Sequence, residues 1–340
     1  MFLIHTPRDH AETVARAVVG ACRLDGWGSP VQPQLLHTLF NRLLGQDLDF
    51  EKLPPLGPSD VANVLRTQAE RDELIQLMTV MEILCNPLSP RVEQSVAQWA
   101  HALHVQERSL TYLRDLVRGE VAKSVHDFYR LNYVGDLDRR EPGFKPLISR
   151  VGDKAYALTV EADEAEATKW KGLGRNPSGS IGRAVFDFYG MRGFKFPGEA
   201  GGVNGAIAQH DWVHVLADYG TTPLGEIEVA SFQTAATRTP GAMLGLVGVL
   251  ALFESGVMPA SLLVHDQKGH ALAEPGAIDR MAEAVARGKQ CRKDVLLDVD
   301  FFKYASEPLE GLRTQFGIPS KSRETRERDP YGSTKLPPAA

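Results

Sequence analysis

Apolar positions in the first 130 residues recur at intervals of three and four, the period of an amphipathic α-helix. Segments 17–30 and 77–90 share one order: a helix, a turn, and then a Ser-Pro helix start. A second amphipathic helix follows each segment, over about 31–44 and 90–104, and a Pro-rich stretch at 53–59 joins the two hairpins. Residues 1–131 are therefore predicted to form a helical bundle. The clearest apolar runs are Val14, Ala17, Val18, Ala21; Leu35, Leu36, Leu39, Leu43; and Leu74, Leu77, Met78, Met81.

The rest of the chain divides into three parts. Residues 132–174 are rich in Gly, Pro and charge and predict a linker and irregular segment, with one short strand-like or helical stretch at 155–160. Helix signals then return over 175–319, and residues 320–340 are polar and mixed in charge, which predicts a disordered tail. The expected fold class is thus all-α, with two helical bundle domains. The helix starts in the second domain are Ser180, Asn204, Thr222-Pro223, Thr239-Pro240 and Pro275.

Composition excludes several classes of protein. The 340 residues carry 38 Lys and Arg against 43 Asp and Glu, a balance that argues against a nucleic-acid partner. Three scattered cysteines fit neither a disulfide framework nor a cysteine zinc site, so a reducing, cytoplasmic location is expected. The N-terminus has no secretory pattern, and the longest apolar run, 242–253, is short of the ~20 residues of a membrane span. Contact with a membrane surface stays open.

The candidate chemistry lies in one segment, 209–233. His210 and His214 stand four apart on a predicted helix, so both imidazoles project from one face, with Asp211 beside them. The helix is expected to end at Gly220, and the short connection to the next helix brings Glu226 back alongside. Two imidazoles with carboxylates suit zinc, and also iron, manganese or cobalt. The alternative is a structural histidine pair, with Glu226 as a first-turn acid favoured by the helix dipole.

These residues resemble a known family. The pattern His-Asp-x-x-His, eleven residues, Glu is the signature of the coenzyme Q biosynthesis proteins of the Coq-four type, and the segments GSIGRAVFDFYG, EIEVASFQ and PLEGLRTQFGIP extend the likeness over about 175–319. Asp218 departs from the glycine more usual there, and FFKYASEPLE replaces a segment that contains tryptophan. The N-terminal helical domain also lies outside the usual family.

The resemblance implies a specific chemistry. It implies a divalent metal, with zinc favoured, held by His210, Asp211, His214 and Glu226 on the helical hairpin. Asp211 would be either a ligand or the catalytic base. The implied reaction is oxidative decarboxylation, which removes a carboxylate and introduces a hydroxyl group at ring carbon one of a prenylated aromatic precursor of ubiquinone.

The N-terminal half is similar to the TerB-like helical domain of tellurite-resistance proteins, over about residues 10–130. In that family an acidic Asp-Gly turn can hold a divalent ion. Asp25-Gly26 keeps the first such turn here, whereas the second reads Cys85-Asn86-Pro87 and has no acid. A helix-terminating turn is the simpler interpretation of Asp25-Gly26, and no metal is assigned to it.

A second feature bears on a lipid ligand. The segment GAMLGLVGVLALFESG is apolar on every helical face until Glu254, and Gly241, Gly245 and Gly248 lie on one stripe of it. The segment fits a core helix, one wall of a tunnel for a prenyl chain, or a contact with a membrane surface. The residue types do not separate these three interpretations.

Three functions of different classes remain open from the sequence. The first is an enzyme that acts on a prenylated quinone precursor, at a peripheral position on the inner membrane surface or in the cytoplasm. The second is a non-catalytic protein that binds a prenyl lipid and organises other quinone-biosynthesis enzymes. The third is a TerB-type stress-response scaffold. Homo-oligomers are compatible with all three.

Overall fold

The computed structural model describes residues 3–140, 162–258 and 269–336. Within these ranges the secondary structure is α-helical, with short 3-10 turns and no β-strand. The prediction of an all-helical fold is confirmed. The short stretch predicted at 155–160 lies outside the described residues.

Eight helices build the first half, and local signals explain where several begin and end. Thr67 caps the fourth helix, because its side chain accepts from the Glu70 backbone N–H while the Glu70 carboxylate accepts from the Thr67 N–H. Ser89 caps the fifth helix in front of Pro90, and Gly45 ends the second with a left-handed backbone. The helices are α1 Ala11–Cys22, α2 Val31–Leu44, α3 Pro58–Ala62, α4 Gln68–Ile83, α5 Pro90–Ala102, α6 Arg108–Val117, α7 Val121–Leu131 and α8 Tyr133–Arg140.

The second half contributes eight more helices. Thr222 accepts a hydrogen bond from the Gly225 N–H and, with Pro223, starts the helix that carries Glu226. Gly193, in a left-handed conformation, ends the helix that carries Tyr189. The helices are α9 Glu164–Lys171, α10 Ile181–Arg192, α11 Gln209–Ala217, α12 Pro223–Ala236, α13 Pro240–Phe253, α14 Ala277–Gln290, α15 Leu309–Phe316 and α16 Arg323–Arg328.

Helices of the two halves pack directly on one another. Helix α14 lies against α12 and also against α2, while the apolar helix α13 contacts α4, α6, α7 and α8. One buried apolar cluster therefore contains residues of both halves, among them Leu39, Met78, Leu246 and Met281. The division into two domains at residue 131 stays a prediction.

The segment predicted as a linker and irregular region, 132–174, differs from that expectation. Helix α8 occupies Tyr133–Arg140, with Tyr133 buried, and helix α9 occupies Glu164–Lys171. Asp163 caps α9 by accepting from the Glu166 N–H, and Trp170 is buried on its inner side. Each helix has only a narrow apolar side among many charged residues, so the composition of the segment does not predict either helix.

The prediction of a disordered tail at 320–340 is wrong for the residues that the structure describes. Helix α16 follows Ser322, whose backbone N–H and hydroxyl both donate to the buried Glu283 carboxylate of α14. Lys321 is buried as well and pairs with Asp329 at 2.9 Å. The polar residues are ordered because acceptors and charges of α14 face them, which composition does not reveal.

None of the described helices is both long and apolar enough to cross a membrane. Helix α13 is the most apolar, and 14 residues at ~1.5 Å each give about 21 Å, short of the ~30 Å hydrocarbon core.

Candidate metal centre

Helices α11 and α12 form the hairpin that carries the candidate ligands. Helix α11 is shorter than predicted: Asn204 caps a turn by accepting from the Ile207 N–H, and the helix itself begins at Gln209. It ends at Ala217 instead of Gly220, because Asp218 adopts a left-handed conformation with φ 62°. The predicted hairpin is present with these shorter limits.

Three of the four predicted residues bring ligand atoms together. Nε2 of His210 lies 2.8 Å from Nε2 of His214 and 3.0 Å from Oε2 of Glu226, and His214 Nε2 lies 3.4 Å from the same oxygen. Ligands of a tetrahedral ion at ~2.05 Å would be about 3.3 Å apart. The observed spacings of the three atoms therefore fit one small divalent ion.

The outer nitrogens of both histidines show why the cluster needs a cation. His214 Nδ1 lies 3.2 Å from the carbonyl oxygen of Tyr219, which can only accept, so Nδ1 carries the proton. His210 Nδ1 lies 3.0 Å from Oε1 of Gln233 and donates in the same way. In the neutral state both Nε2 lone pairs would then face each other and the Glu226 carboxylate. A shared proton or a metal ion removes this repulsion, and such outer partners are typical of histidines that bind metals.

Electrostatics at the cluster agree with this geometry. Burial acts to lower the pKa of His210, but the adjacent Glu226 carboxylate outweighs it and raises that pKa. Burial would raise the pKa of Glu226, yet His214 and His210 together hold it well below its usual range. The site thus stabilises positive charge between the histidines and the carboxylate.

Asp211 is separate from the three-residue group. Its Oδ2 accepts a short hydrogen bond from the Tyr189 hydroxyl, and burial raises the pKa of the Asp211 carboxyl. Burial likewise raises the pKa of Tyr189, so the phenol keeps its proton and donates it. Asp211 lines the same cavity as His210 and Glu226, but the structure does not place it with their ligand atoms.

Two segments near the C-terminus, FFKYASEPLE and PLEGLRTQFGIP, pack against helix α11. Arg313 donates to the carbonyl oxygens of Leu216 and Val215 at 2.8 and 3.0 Å and so satisfies the last turn of α11. Phe301 stacks on Trp212 with ring centroids 5.4 Å apart. The segments 309–318 and 301–310 thus hold the histidine helix in place without contributing a ligand atom to the cluster.

The cluster opens into a cavity of about 690 Å³ with two chemically different walls. Helices α10, α11 and α12 supply the polar wall, and α13 with the residues after it supplies the apolar wall. Gly245 of α13 is open to this space, since a Cβ there would meet no heavy atom within 4 Å. The polar wall contains Tyr189, Arg192, His210, Asp211, Glu226 and Gln233, and the apolar wall contains Leu246, Val249, Leu252, Phe253 and Met258.

The sequence analysis missed three residues of the polar wall: Tyr189, Arg192 and Gln233. Gln233 follows Glu226 by seven residues, which is two helical turns on the same face, so spacing alone could have indicated it. Tyr189 and Arg192 lie on a helix whose contact with α11 is not encoded in any local pattern. Only the tertiary structure brings them to the site.

The comparisons with known proteins add little to this geometry. No protein-family model and no curated protein match the chain. Among solved structures, the crystal structure of a provisionally assigned ubiquinone biosynthesis protein from Nostoc punctiforme PCC 73102 aligns with 16% identity and a TM-score of 0.36. The alignment covers 63% of this chain and 98% of that one. A likeness of this strength carries no argument about the topology or function of this chain.

Proposed function

We propose that the protein binds a divalent metal through His210, His214 and Glu226 and acts on an aromatic ring that carries an isoprenoid chain. The observation that carries this proposal is the position of the cluster on the polar wall of a cavity whose other wall is apolar. A ligand with a polar head and a hydrocarbon tail matches both walls. Prenylated precursors of ubiquinone and related quinones have this character.

The proposed metal is zinc, with iron, manganese or cobalt as alternatives for the same nitrogen and oxygen ligands. When bound, the ion would supply Lewis acidity toward a phenolate or carboxylate of the ring. The chain itself orients the two imidazoles, because Gln233 and Tyr219 hold their outer N–H groups. The apolar wall excludes water from the tail side of the ligand.

The proposed reaction is the oxidative decarboxylation of the ring. The bond between the ring and the carboxylate breaks, carbon dioxide leaves, and a hydroxyl group from water takes its place. This change oxidises the ring by two electrons, which dioxygen accepts together with the two released protons to form hydrogen peroxide. The Tyr189 hydroxyl donates to Asp211 beside the cluster, and this pair would exchange a proton with the ring oxygens.

One observation favours a second candidate, a protein that holds the lipid without transforming it. The Asp211 carboxylate already accepts a hydrogen bond from the Tyr189 hydroxyl, so one of its oxygens is occupied inside the protein and less available as a base toward a ligand. In that case the metal and the cavity would bind the prenylated ring for other enzymes.

A turnover assay separates the two candidates. Metal-loaded protein is incubated in air with 3-geranyl-4-hydroxybenzoate, and the hydroxylated, decarboxylated product is measured by mass spectrometry. The variants are His214→Ala and Glu226→Gln, with the exposed His101→Ala as a control outside the site. Native mass spectrometry of the same samples measures the retained ligand.

The enzyme proposal expects product from the wild type and from His101→Ala, and a loss of at least about 100-fold in His214→Ala. Ligand retained by the wild type without any product would contradict the enzyme and support the lipid-holding protein. If the wild type neither binds the ligand nor forms the product, both candidate functions are contradicted.

A further inference from the structure

Arg192 is a cation on the polar wall that the proposed metal chemistry does not use. It ends helix α10 just before Gly193, and its guanidinium carbon lies 3.8 Å from the centre of the Phe188 ring. The side chain lines the cavity together with Glu226 and Asp211. Stacking on an aromatic ring fixes the plane of the guanidinium at that place.

Among the residues that the structure describes, all hydrogen-bond partners of Arg192 are neutral. Nε donates to the Thr221 hydroxyl at 3.1 Å, Nη1 to the carbonyl oxygens of Phe188 and Ser333 at 3.4 and 3.2 Å, and Nη2 to that of Gly332 at 3.4 Å. A guanidinium has five N–H donors, so these four contacts leave one N–H of Nη2 for a further acceptor. Arg183, on the same helix, differs because it pairs with Asp187 at 2.9 Å.

The charge balance of the polar wall favours an anion. Burial lowers the pKa of Arg192 to about 10, although Glu226 and Asp211 oppose this, so the side chain stays protonated at neutral pH. The carboxylate of Glu226 belongs to the proposed metal cluster. A divalent ion there, Arg192 and Lys195, which also lines the cavity, would together outweigh Glu226 and Asp211 and leave net positive charge beside the cavity.

We propose that Arg192 recognises the carboxylate of the ligand and so makes the cavity selective for acidic over decarboxylated forms of the same prenylated ring. This inference rests on the proposed function, since it requires that the cavity hold such a ring. The free N–H of Nη2 can donate one hydrogen bond to a carboxylate, and a charge-assisted hydrogen bond in a partly buried site discriminates strongly. A product without the carboxylate would be bound less tightly than the substrate and would be released.

The C-terminal segment has a positioning role in this arrangement. The carbonyl oxygens of Gly332 and Ser333 accept from two of the guanidinium nitrogens. The Ser333 N–H and hydroxyl in turn donate to Oδ1 of Asp218 at 3.0 Å each. The residue that replaces the more usual glycine at 218 therefore anchors the segment that orients Arg192.

The test is an equilibrium binding experiment with two matched ligands. Isothermal titration measures the affinity of 3-geranyl-4-hydroxybenzoate and of 2-geranylphenol, which lacks only the carboxylate, for the metal-free and zinc-loaded protein. The variants are Arg192→Gln and Arg192→Lys, with Arg183→Gln as the matched control on the same helix. Metal-free samples isolate the contribution of Arg192 from that of the ion.

We expect Arg192→Gln to weaken binding of the carboxylate ligand by about 10- to 100-fold and to leave the affinity for the phenol within about twofold. Arg192→Lys keeps the charge but loses the contacts that hold the guanidinium in place, so it should lose about three- to tenfold, and Arg183→Gln should match the wild type. If Arg192→Gln does not fold, Arg192→Lys provides the test: its affinity should fall for the carboxylate ligand and stay unchanged for the phenol.

Two results would overturn the inference while leaving the proposed function intact. In one, the substitutions at Arg192 weaken both ligands equally, which means that Arg192 only shapes the cavity. In the other, the wild type binds both ligands equally well. Failure of the wild type to bind either ligand contradicts the proposed function itself, and this inference with it.

Discussion

Two glutamates on helix α12, only two residues apart, face different surroundings. Glu228 points to helix α14 and is completely buried, where Arg280 donates to both of its oxygens at 3.0 and 2.6 Å. Asp329 adds a second carboxylate to Arg280 at 3.3 Å, and these acids hold the pKa of Arg280 above its ordinary value despite burial. The charges of this group are balanced by residues of the chain itself.

Glu226 faces the cavity and lacks such a balance. Its neighbours are the Nε2 atoms of His210 and His214, whose Nδ1 protons are already donated elsewhere. A buried ion pair that is complete belongs to the fold, whereas a set of lone pairs that converge without a fixed cation belongs to a binding site. Helix α12 thus presents the complete pair at Glu228 on one face and the proposed metal ligand Glu226 on the opposite face.

The largest expected effect is on the complete ion pair. Arg280→Met leaves Glu228 buried without its cation and should lower the free energy of unfolding by about 3–5 kcal/mol, measured by urea denaturation. The double variant Arg280→Met with Glu228→Leu should recover most of this loss. A single variant as stable as the wild type would show that the pair is not structural.

The second effect separates the two glutamates by their response to metal. Zinc at 100 times its dissociation constant should stabilise the wild type by about 2.7 kcal/mol, measured from the thermal midpoint with and without metal. Glu226→Gln should abolish this gain, because the amide is a poor ligand. Arg280→Met should keep the gain although its midpoint is lower, and an equal loss in both variants would contradict the distinction.

Another glutamate, the buried Glu82 of helix α4, sharpens the comparison because neither of its oxygens has a hydrogen-bond partner among the described residues. Burial, with the charge of Glu93, raises its pKa well above the ordinary value of 4.5. The folded protein therefore holds this proton longer than the unfolded chain does, and stability falls as pH rises above about 4.5.

Glu82→Met removes the unpartnered carboxyl at similar volume. It should raise the free energy of unfolding by about 1–2 kcal/mol near neutral pH, with a smaller gain toward pH 4.5. Urea denaturation at a series of pH values measures the difference. A gain that does not change with pH would show that Glu82 does not titrate as proposed.

The smallest effect concerns the apolar wall. Gly245→Ala should stabilise the protein by about 0.5–1 kcal/mol, because the position is helical and a Cβ there enters open space. Gly241→Ala is the matched control in the same helix, and it should destabilise, since its Cβ would lie 2.4 Å from the backbone carbon of Asn132. Thermal denaturation of both variants tests whether only Gly245 faces the cavity.

Spacing along the chain was sufficient to predict the three residues whose ligand atoms meet in the candidate site. A helical pair four residues apart and an acid in the first turn of the returning helix meet wherever the connection is short, so His210, His214 and Glu226 could be predicted together. The same argument could not place Asp211, because its direction depends on Tyr189 of another helix. The apolar pattern of 240–253 was compatible with a core helix, a tunnel wall or a membrane contact, and the residue types alone did not place the opening beside Gly245.

The tail shows where local reasoning fails. Residues 320–336 look disordered by composition, yet Lys321, Ser322 and Asp329 are held by partners on helix α14 or within the tail. Long-range pairs of charges leave no periodic signal, whereas amphipathic helices do. The all-helical class was therefore predictable, and the contacts that complete the polar wall of the cavity were not.

Elemental analysis of the purified protein shows most simply whether the histidine cluster binds a metal ion. The wild type and His101→Ala are dialysed against trace zinc beside His214→Ala, and zinc is measured per protein chain. We expect stoichiometric zinc in the first two and almost none in His214→Ala. Equal zinc in all three, or none in the wild type, would contradict this expectation and leave the histidines as a structural pair.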